Sequence, residues 1–229
     1  ASAIPCSGEQ VPPPSCCMRP YQGWSTSRLD SEGPVETTVE SLDNMRQEAL
    51  QAFASGNVSY SIGVYEQIFD KIGKDPSIED VINYGAILRN SKQLKKASTH
   101  YINHLQKFSS NNNLIRNACN CWIELKDFER SRIVLEKALV KDKNNPALPL
   151  TLGYTELSAG KTNRACQIFE KILELDPKHF DAQFNLAAAK AKGGWLEDAL
   201  DCFRQADQLN KNNQLLKANI ITILKDLKR

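Results

Sequence analysis

Residues 180–213, with the sequence FDAQFNLAAAKAKGGWLEDALDCFRQADQLNKNN, decide the fold of this 229-residue chain. Alanines, leucines and aromatics recur here at steps of three and four, which places them on one face of each of two helices. Gly193 and Gly194 interrupt the pattern near its middle. The alternation of β-branched residues that is typical of strands is absent from the sequence. The stretch therefore predicts two helices joined by a tight turn.

A unit of the same length occurs four times without an insertion or deletion, over 78–111, 112–145, 146–179 and 180–213. Positions 8 and 20 of the unit hold small residues, and position 24 holds a large one. Position 8 is occupied by Gly85, Cys119, Gly153 and Ala187, position 20 by Ala97, Ser131, Ala165 and Ala199, and position 24 by Tyr101, Leu135, Phe169 and Phe203. Small residues let the two helices of a unit approach closely, and we expect the large residue to fill the groove between units.

Two partial units flank these copies. Residues 36–77 resemble a degenerate copy of the unit. Their helical pattern of apolar residues is interrupted at Gly56-Asn57, and their register is shifted relative to the other copies. Residues 214–229 form half a unit, an amphipathic helix with Leu216 and Ile223 on its apolar side. This helix is either a cap over the open end of a stack or the first helix of a further unit, and the sequence favours neither.

The first 35 residues differ in kind from the rest. They hold six of the ten prolines, and proline removes a backbone donor and is excluded from helix interiors. We therefore predict a disordered leader over 1–35. It contains Cys6, Cys16 and Cys17, and the Cys16-Cys17 pair is compatible with a lipidation or redox site, although such pairs are more often incidental.

The cysteine count bears on the cellular compartment. Seven cysteines is an odd number, and the four outside the leader lie within helical patterns. This is not the even, loop-rich arrangement of a secreted disulfide framework. The sequence therefore predicts a cytoplasmic or other reducing compartment.

Charge and motifs exclude several classes of function. Lysine and arginine total 29 against 27 acidic residues, so a net charge of +2 gives no reason to expect nucleic acid as the partner. The longest apolar runs are too short to span a membrane. Phosphate-binding, nucleophile-elbow and metalloprotease motifs are absent, and His100 and His104 have no third ligand nearby in sequence. We expect no enzymatic activity, cofactor or metal.

The unit of 34 residues with these small and large positions resembles the tetratricopeptide repeat. The copy at 180–213 matches most faithfully, through Asn185-Leu186-Ala187, Glu197-Asp198-Ala199, Phe203 and Ala206. The resemblance implies an all-α fold, a right-handed superhelix of antiparallel helix pairs. It also implies that the first helices line a concave groove, which binds extended peptides or helices of partner proteins.

Position 6 of the first helices, on the expected groove face, is rich in asparagine. Asn83, Asn117, Asn185 and Asn219 occupy it, and Thr151 interrupts the row. A carboxamide can bind a peptide backbone regardless of its sequence. The row resembles the asparagine ladder of O-linked N-acetylglucosamine transferase. The alternative, that these residues serve hydrogen bonding within each repeat, stays open.

Arg116 and Asn120 resemble the start of the carboxylate clamp of chaperone-binding relatives. Thr151, Asp181 and Asn185 depart from that clamp, because they stand where an asparagine and two cations are expected, so a chaperone tail is not the expected ligand. The third unit offers a more apolar inner face. It comprises Leu150, Tyr154 and Leu157, and we expect an apolar ligand side chain to dock there, between Arg116 and Asn120 on one side and Phe184 on the other.

The sequence thus predicts a non-enzymatic scaffold whose groove binds an extended peptide or a partner helix, of unknown identity. The alternative is the targeting module of a larger glycosyl-, sulfo- or methyltransferase, because repeats of this type are found joined to such domains. The chain begins with Ala1 rather than methionine, which leaves room for that alternative. A gene that continues past Arg229 into an α/β domain would favour it.

Overall fold

The computed structural model describes residues 34–142 and 145–228. Within these ranges the chain forms eleven α-helices and no strand. They are α1 (Pro34–Ala54), α2 (Val58–Ile72), α3 (Ile78–Asn90), α4 (Leu94–Leu105), α5 (Asn112–Glu124), α6 (Phe128–Lys141), α7 (Ala147–Ser158), α8 (Thr162–Leu175), α9 (Phe180–Lys192), α10 (Leu196–Leu209) and α11 (Gln214–Leu227). Consecutive helices pack against one another along the whole series. The predicted all-α solenoid is confirmed.

The predicted leader lies outside the described residues, apart from Pro34 and Val35, which already belong to α1. The three cysteines of the leader, Cys6, Cys16 and Cys17, therefore also lie outside them. The role suggested for the Cys16-Cys17 pair stays a prediction.

Side-chain caps begin several of the first helices. Ser77, Asn111 and Asn213 each precede a first helix, and their side-chain oxygens accept from the backbone N–H three residues later at 3.1, 2.9 and 3.0 Å. Each cap satisfies an N–H group that the helix itself leaves free. Asn213, in the link after the last full unit, thus caps the start of α11.

The turn within each helix pair requires a left-handed backbone at position 15. Gly160 and Gly194 adopt φ values of 79° and 84° there, and Lys92 and Lys126 adopt 63° and 61° at the equivalent positions. The left-handed conformation costs a residue with a side chain about 1–2 kcal/mol, whereas glycine adopts it readily. The glycines therefore located this turn in the sequence, and the lysines gave no signal of it.

The two helices of a pair approach most closely at position 8. A Cβ atom added to Gly85 would lie 2.4 Å from the Tyr101 ring, and one added to Gly153 would lie 2.5 Å from the Phe169 ring. Both rings are fully buried. The sequence analysis assigned position 24 to the groove between units, but these contacts place Tyr101 and Phe169 over position 8 of their own pair. The ring thus closes the gap that the missing side chain leaves.

Two ion pairs with buried carboxylates connect neighbouring pairs of helices. Arg46 on α1 donates from Nε and Nη2 to the two carboxylate oxygens of Asp80 on α3, at 2.8 and 2.7 Å. Arg132 on α6 donates from Nε to Oε1 of Glu156 on α7, at 2.6 Å, and Glu156 is fully buried. Loss of one partner from a buried pair costs about 3–5 kcal/mol. These contacts therefore fix α1 against α3 and α6 against α7.

A cluster of aromatic rings joins α2, α3 and α4. His100 donates from Nε2 to the backbone oxygen of Val81 at 2.9 Å, and its ring meets Tyr84 edge to face. His104 stacks on Phe69, with ring centroids 6.0 Å apart. Burial lowers the pKa of His100 to about 4 and also lowers that of His104. Both histidines therefore pack within this cluster.

Replacing Gly153 with alanine should destabilise the protein by about 1–3 kcal/mol, because the added methyl group overpacks against the buried Phe169 ring. Urea unfolding followed by circular dichroism measures the change. Gly63→Ala is the matched control, since a Cβ there meets no atom within 4 Å. It should be neutral or stabilise α2 by up to about 1 kcal/mol. Equal destabilisation by both changes would contradict the close approach at position 8.

The stability of the fold should decrease as the pH is lowered from about 6.5 to about 4. In this window unfolded His100 binds a proton and folded His100 does not, so acid favours unfolding, by up to about 3 kcal/mol in total. Urea unfolding at a series of pH values measures the slope. His100→Gln keeps a donor for the Val81 oxygen and should flatten the slope, leaving the smaller contribution of His104. An unchanged slope would show that His100 is not the titrating group.

Candidate functional site

The first helices of the central units form one row. Helices α3, α5, α7 and α9 pack against one another in turn, and each intervening second helix packs against the first helix on either side of it. Packing between successive second helices is marginal or absent among the described residues. The first helices are thus spaced more closely than the second helices, and the layer curves toward them. The sequence register assigns positions 2, 5, 6, 9, 12 and 13 of these helices to the concave side, and we call this face the groove.

The asparagine row occupies position 6 of α3, α5, α9 and α11. Asn83, Asn117 and Asn219 are half-buried, and Asn185 is 4% exposed. Asn117 donates from Nδ2 to the backbone oxygen of Asn113 at 2.8 Å, and Asn185 donates to that of Asp181 at 2.7 Å. In both helices one of the two amide N–H donors is therefore used by the preceding helical turn.

Thr151, which interrupts the row, makes the equivalent bond. Its Oγ1 donates to the backbone oxygen of Ala147 at 3.0 Å. Position 6 thus donates to the carbonyl of position 2 in three successive first helices. This is the bonding within each repeat that the sequence analysis left open as the alternative, and it is compatible with ligand binding, because it leaves the Asn117 carboxamide oxygen as an acceptor.

Two members of the row differ from Asn117. The carboxamide oxygen of Asn185 is shielded from water and has no hydrogen-bond partner among the described residues. Asn83 lies close to the hydroxyl of Tyr65, on α2; burial raises the pKa of that hydroxyl, and Asn83 opposes the rise. Asn83 therefore faces the preceding helix pair as well as the groove.

Arg116 and Asn120 share a helix, α5, but differ in availability. Arg116, at position 5, is half-buried, and no carboxylate of residues 34–142 or 145–228 forms an ion pair with it. Asn120, at position 9, is only 5% exposed and offers little surface to a ligand. Of the two, Arg116 is the group that presents its charge to the groove.

The apolar part of the groove is formed by α7 and α9. Leu150 and Leu157 are buried, and Tyr154 is half-buried. Burial raises the pKa of Tyr154, while a contact with Ser158 opposes the rise. Phe184 is 7% exposed and meets Phe203 edge to face at 5.6 Å. Phe184 thus belongs mainly to the core beneath the groove, and Tyr154 is the aromatic side chain nearer its surface.

A polar pair that the sequence analysis did not single out crosses between the first two units. Arg89 on α3 donates from Nη1 to Oε1 of Glu124 on α5 at 3.1 Å, and Lys92 donates to Oε2 of Glu124 at 3.0 Å. Arg89 and Glu124 occupy positions 12 and 13, both on the groove face. The sequence signal that could have identified this pair is a basic residue at position 12 of one unit followed by an acidic residue at position 13 of the next.

Groups suited to metal binding or nucleophilic catalysis do not gather in the described part of the chain. Its His, Cys, Asp and Glu side chains form no cluster of three or more that could hold a metal ion. Burial raises the pKa of the Cys119 thiol to about 12 and that of Cys121 to about 11, so both are poor nucleophiles near neutral pH. A cleft of about 400 Å³ lies between α1 and α2, and Met45 and Tyr60 are among its lining residues.

None of the helices in the ranges that the structure describes is both long and apolar enough to cross a membrane.

Comparisons with known proteins agree with this architecture. Residues 156–223 match the family model described as tetratricopeptide repeat. No curated protein sequence matches the chain.

Many solved structures share the fold. A thermophilic tetratricopeptide repeat protein of Thermus thermophilus, TTC0263, has 15% identity and a TM-score of 0.65, over 80% of this chain and 98% of that one. A tetratricopeptide repeat protein from Parabacteroides merdae has 17% identity and a TM-score of 0.66, over 80% and 72%. MamA from Desulfovibrio magneticus RS-1 has 14% identity and a TM-score of 0.61, over 76% and 97%. Residues 156–223 therefore match the tetratricopeptide repeat family directly, and the described chain has the fold of tetratricopeptide repeat proteins.

Proposed function

We propose that this protein is a non-enzymatic scaffold that binds an extended peptide segment of a partner protein in the groove. The observation that carries the proposal is position 6, where the amide donor of Asn117 is held by its own helix and its carboxamide oxygen remains as an acceptor. An acceptor fixed in this way suits a backbone N–H group of a ligand. Helical ligands use most of their N–H groups internally, so an extended segment fits better than a partner helix.

Asn185 and Asn219 would extend the row. The shielded oxygen of Asn185 has no partner within the described structure, and an unsatisfied buried acceptor costs about 1–3 kcal/mol. Rotation of its carboxamide toward the groove would let a ligand N–H relieve that cost. Asn219, half-buried at position 6 of α11, provides the next acceptor along the row. Asn83 contributes less, because it also faces Tyr65.

The middle of the groove would hold an apolar side chain of the ligand. Tyr154 provides the accessible aromatic surface, and Leu150 and Leu157 form the floor. Phe184 supports that floor from the core through its contact with Phe203. Asn120, being buried, supports α5 more than it contacts the ligand.

The chemistry of the groove favours a protein partner over nucleic acid. Arg89 is neutralised by Glu124, and Asp181 lies on the same face as Arg116. This leaves no basic stripe of the kind that neutralises a phosphate backbone. The described cysteines are free thiols, namely Cys119, Cys121, Cys166 and Cys202. Free thiols are compatible with a cytoplasmic or other reducing compartment.

Asn117→Ala should weaken the binding of groove peptides, and Asn117→Ala with Asn185→Ala should weaken it further. Two lost hydrogen bonds of about 1 kcal/mol each correspond to about thirtyfold in Kd. The peptides are selected from a random displayed library on the full chain, and Kd is measured by fluorescence anisotropy.

Asn117→Thr is the matched control, because threonine at position 6 already keeps the helical bond in α7. It should retain stability and bind more weakly than wild type, since the shorter side chain reaches less far into the groove. Circular dichroism and thermal unfolding check each fold. Undiminished peptide binding by the folded Asn117→Ala variant would contradict the proposed role of the asparagine row.

A further inference from the structure

We propose, resting on the peptide-binding function above, that the groove selects a polyproline-type segment with an acidic and a basic side chain six residues apart and an apolar side chain midway between them. The inference rests on two charges at positions that the register assigns to the groove. Arg116 on α5 and Asp181 on α9 are both half-buried. Neither side chain takes part in an ion pair with any residue in 34–142 or 145–228.

The two charges lie two units apart. Arg116 occupies position 5 of α5 and Asp181 occupies position 2 of α9, with α7 packed between them. Packed helices are about 8–10 Å apart, so the row separates these groups by roughly 16–20 Å. An acidic ligand side chain would thus sit at the α5 end and a basic one at the α9 end.

The spacing of the row also selects the conformation of the ligand. A polyproline helix has three residues per turn and rises about 3.1 Å per residue, so equivalent N–H groups recur every ~9.3 Å. This matches the spacing of the first helices, whereas the two-residue repeat of a β-strand, about 6.7 Å, does not. Six residues of such a segment span ~19 Å, which falls within the roughly 16–20 Å that two helix spacings place between Arg116 and Asp181.

The apolar position follows from the same register. The ligand residue that lies three positions from each charge would face α7, the helix between α5 and α9. Tyr154 is the half-buried aromatic side chain at the groove positions of α7, which also include the buried Leu150 and Leu157. Three successive helices would therefore select an acidic, an apolar and a basic side chain in turn.

The test uses fluorescein-labelled peptides with the core Glu-Pro-Ala-Leu-Pro-Ala-Lys, its reversed sequence, and a version with the lysine moved two residues closer to the glutamate. Kd is measured by fluorescence anisotropy on the full chain. One of the two full-length orientations should bind at least tenfold more tightly than its shortened version. Equal binding by the shortened version would overturn the inference.

A charge exchange tests the assignment of each end. Arg116→Glu should weaken binding about tenfold, and a peptide with its glutamate replaced by lysine should recover that loss on the Arg116→Glu variant. Asp181→Arg should behave likewise toward a peptide with its lysine replaced by glutamate. The matched controls are Arg204→Glu and Asp201→Arg, which make the same charge changes at exposed positions of α10. They should leave Kd unchanged.

The two proposals can fail separately. If peptides selected from the random library still depend on Asn117, but show no acid–base spacing and no recovery by charge exchange, the inference is wrong and the peptide-binding function stands. If no peptide, designed or selected, depends on Asn117, both are wrong.

Discussion

The close approach of two helices at position 8 is the constraint on which the rest of the structure depends. The rings of Tyr101 and Phe169 lie where a side chain on Gly85 or Gly153 would have to be. Because a buried ring cannot be displaced at small cost, it fixes the distance between the two helices of its pair. That distance also sets how the next first helix packs, since each second helix contacts the first helices on both sides. The curvature of the stack, and with it the shape of the groove, therefore depends on the contacts between first and second helices, on the side of the first helices that faces away from the groove.

The units are alike in these contacts and different in their buried charges. Asp80 occupies position 3, where leucine stands in α5, α7 and α11, and Glu156 occupies position 11, where Trp122 stands in α5. Buried ion pairs contribute little net stability compared with apolar residues of similar size, but each requires its own partner. Arg46 and Arg132 therefore distinguish one junction from another in a stack whose apolar contacts are nearly interchangeable.

The sequence predicted the fold because its strongest signals are repeated. Four copies of the same small and large positions reinforce one another, so a weak local preference becomes a clear period. The left-handed backbone of Lys92 and Lys126 could not be predicted in this way, because the repeat imposes it and a lysine does not indicate it. The site was less predictable for a related reason. Position in the register places Asn117 on the groove face, but only atomic contacts reveal that its amide donor is already used or that Asn185 is shielded.

The residues that shape the stack and those that could select a ligand are nearly separate sets. Positions 8 and 20 hold only small residues, and position 24 holds only large ones. Position 9 instead holds residues that differ in size and polarity, namely Ala86, Asn120, Tyr154 and Ala188 in the four successive units. The side chain at this position thus changes from small to polar to aromatic among units whose helix pairs pack in the same way. The stack therefore supplies a fixed distance between neighbouring side chains of the groove, and ligand selectivity depends on which side chains are placed at that distance.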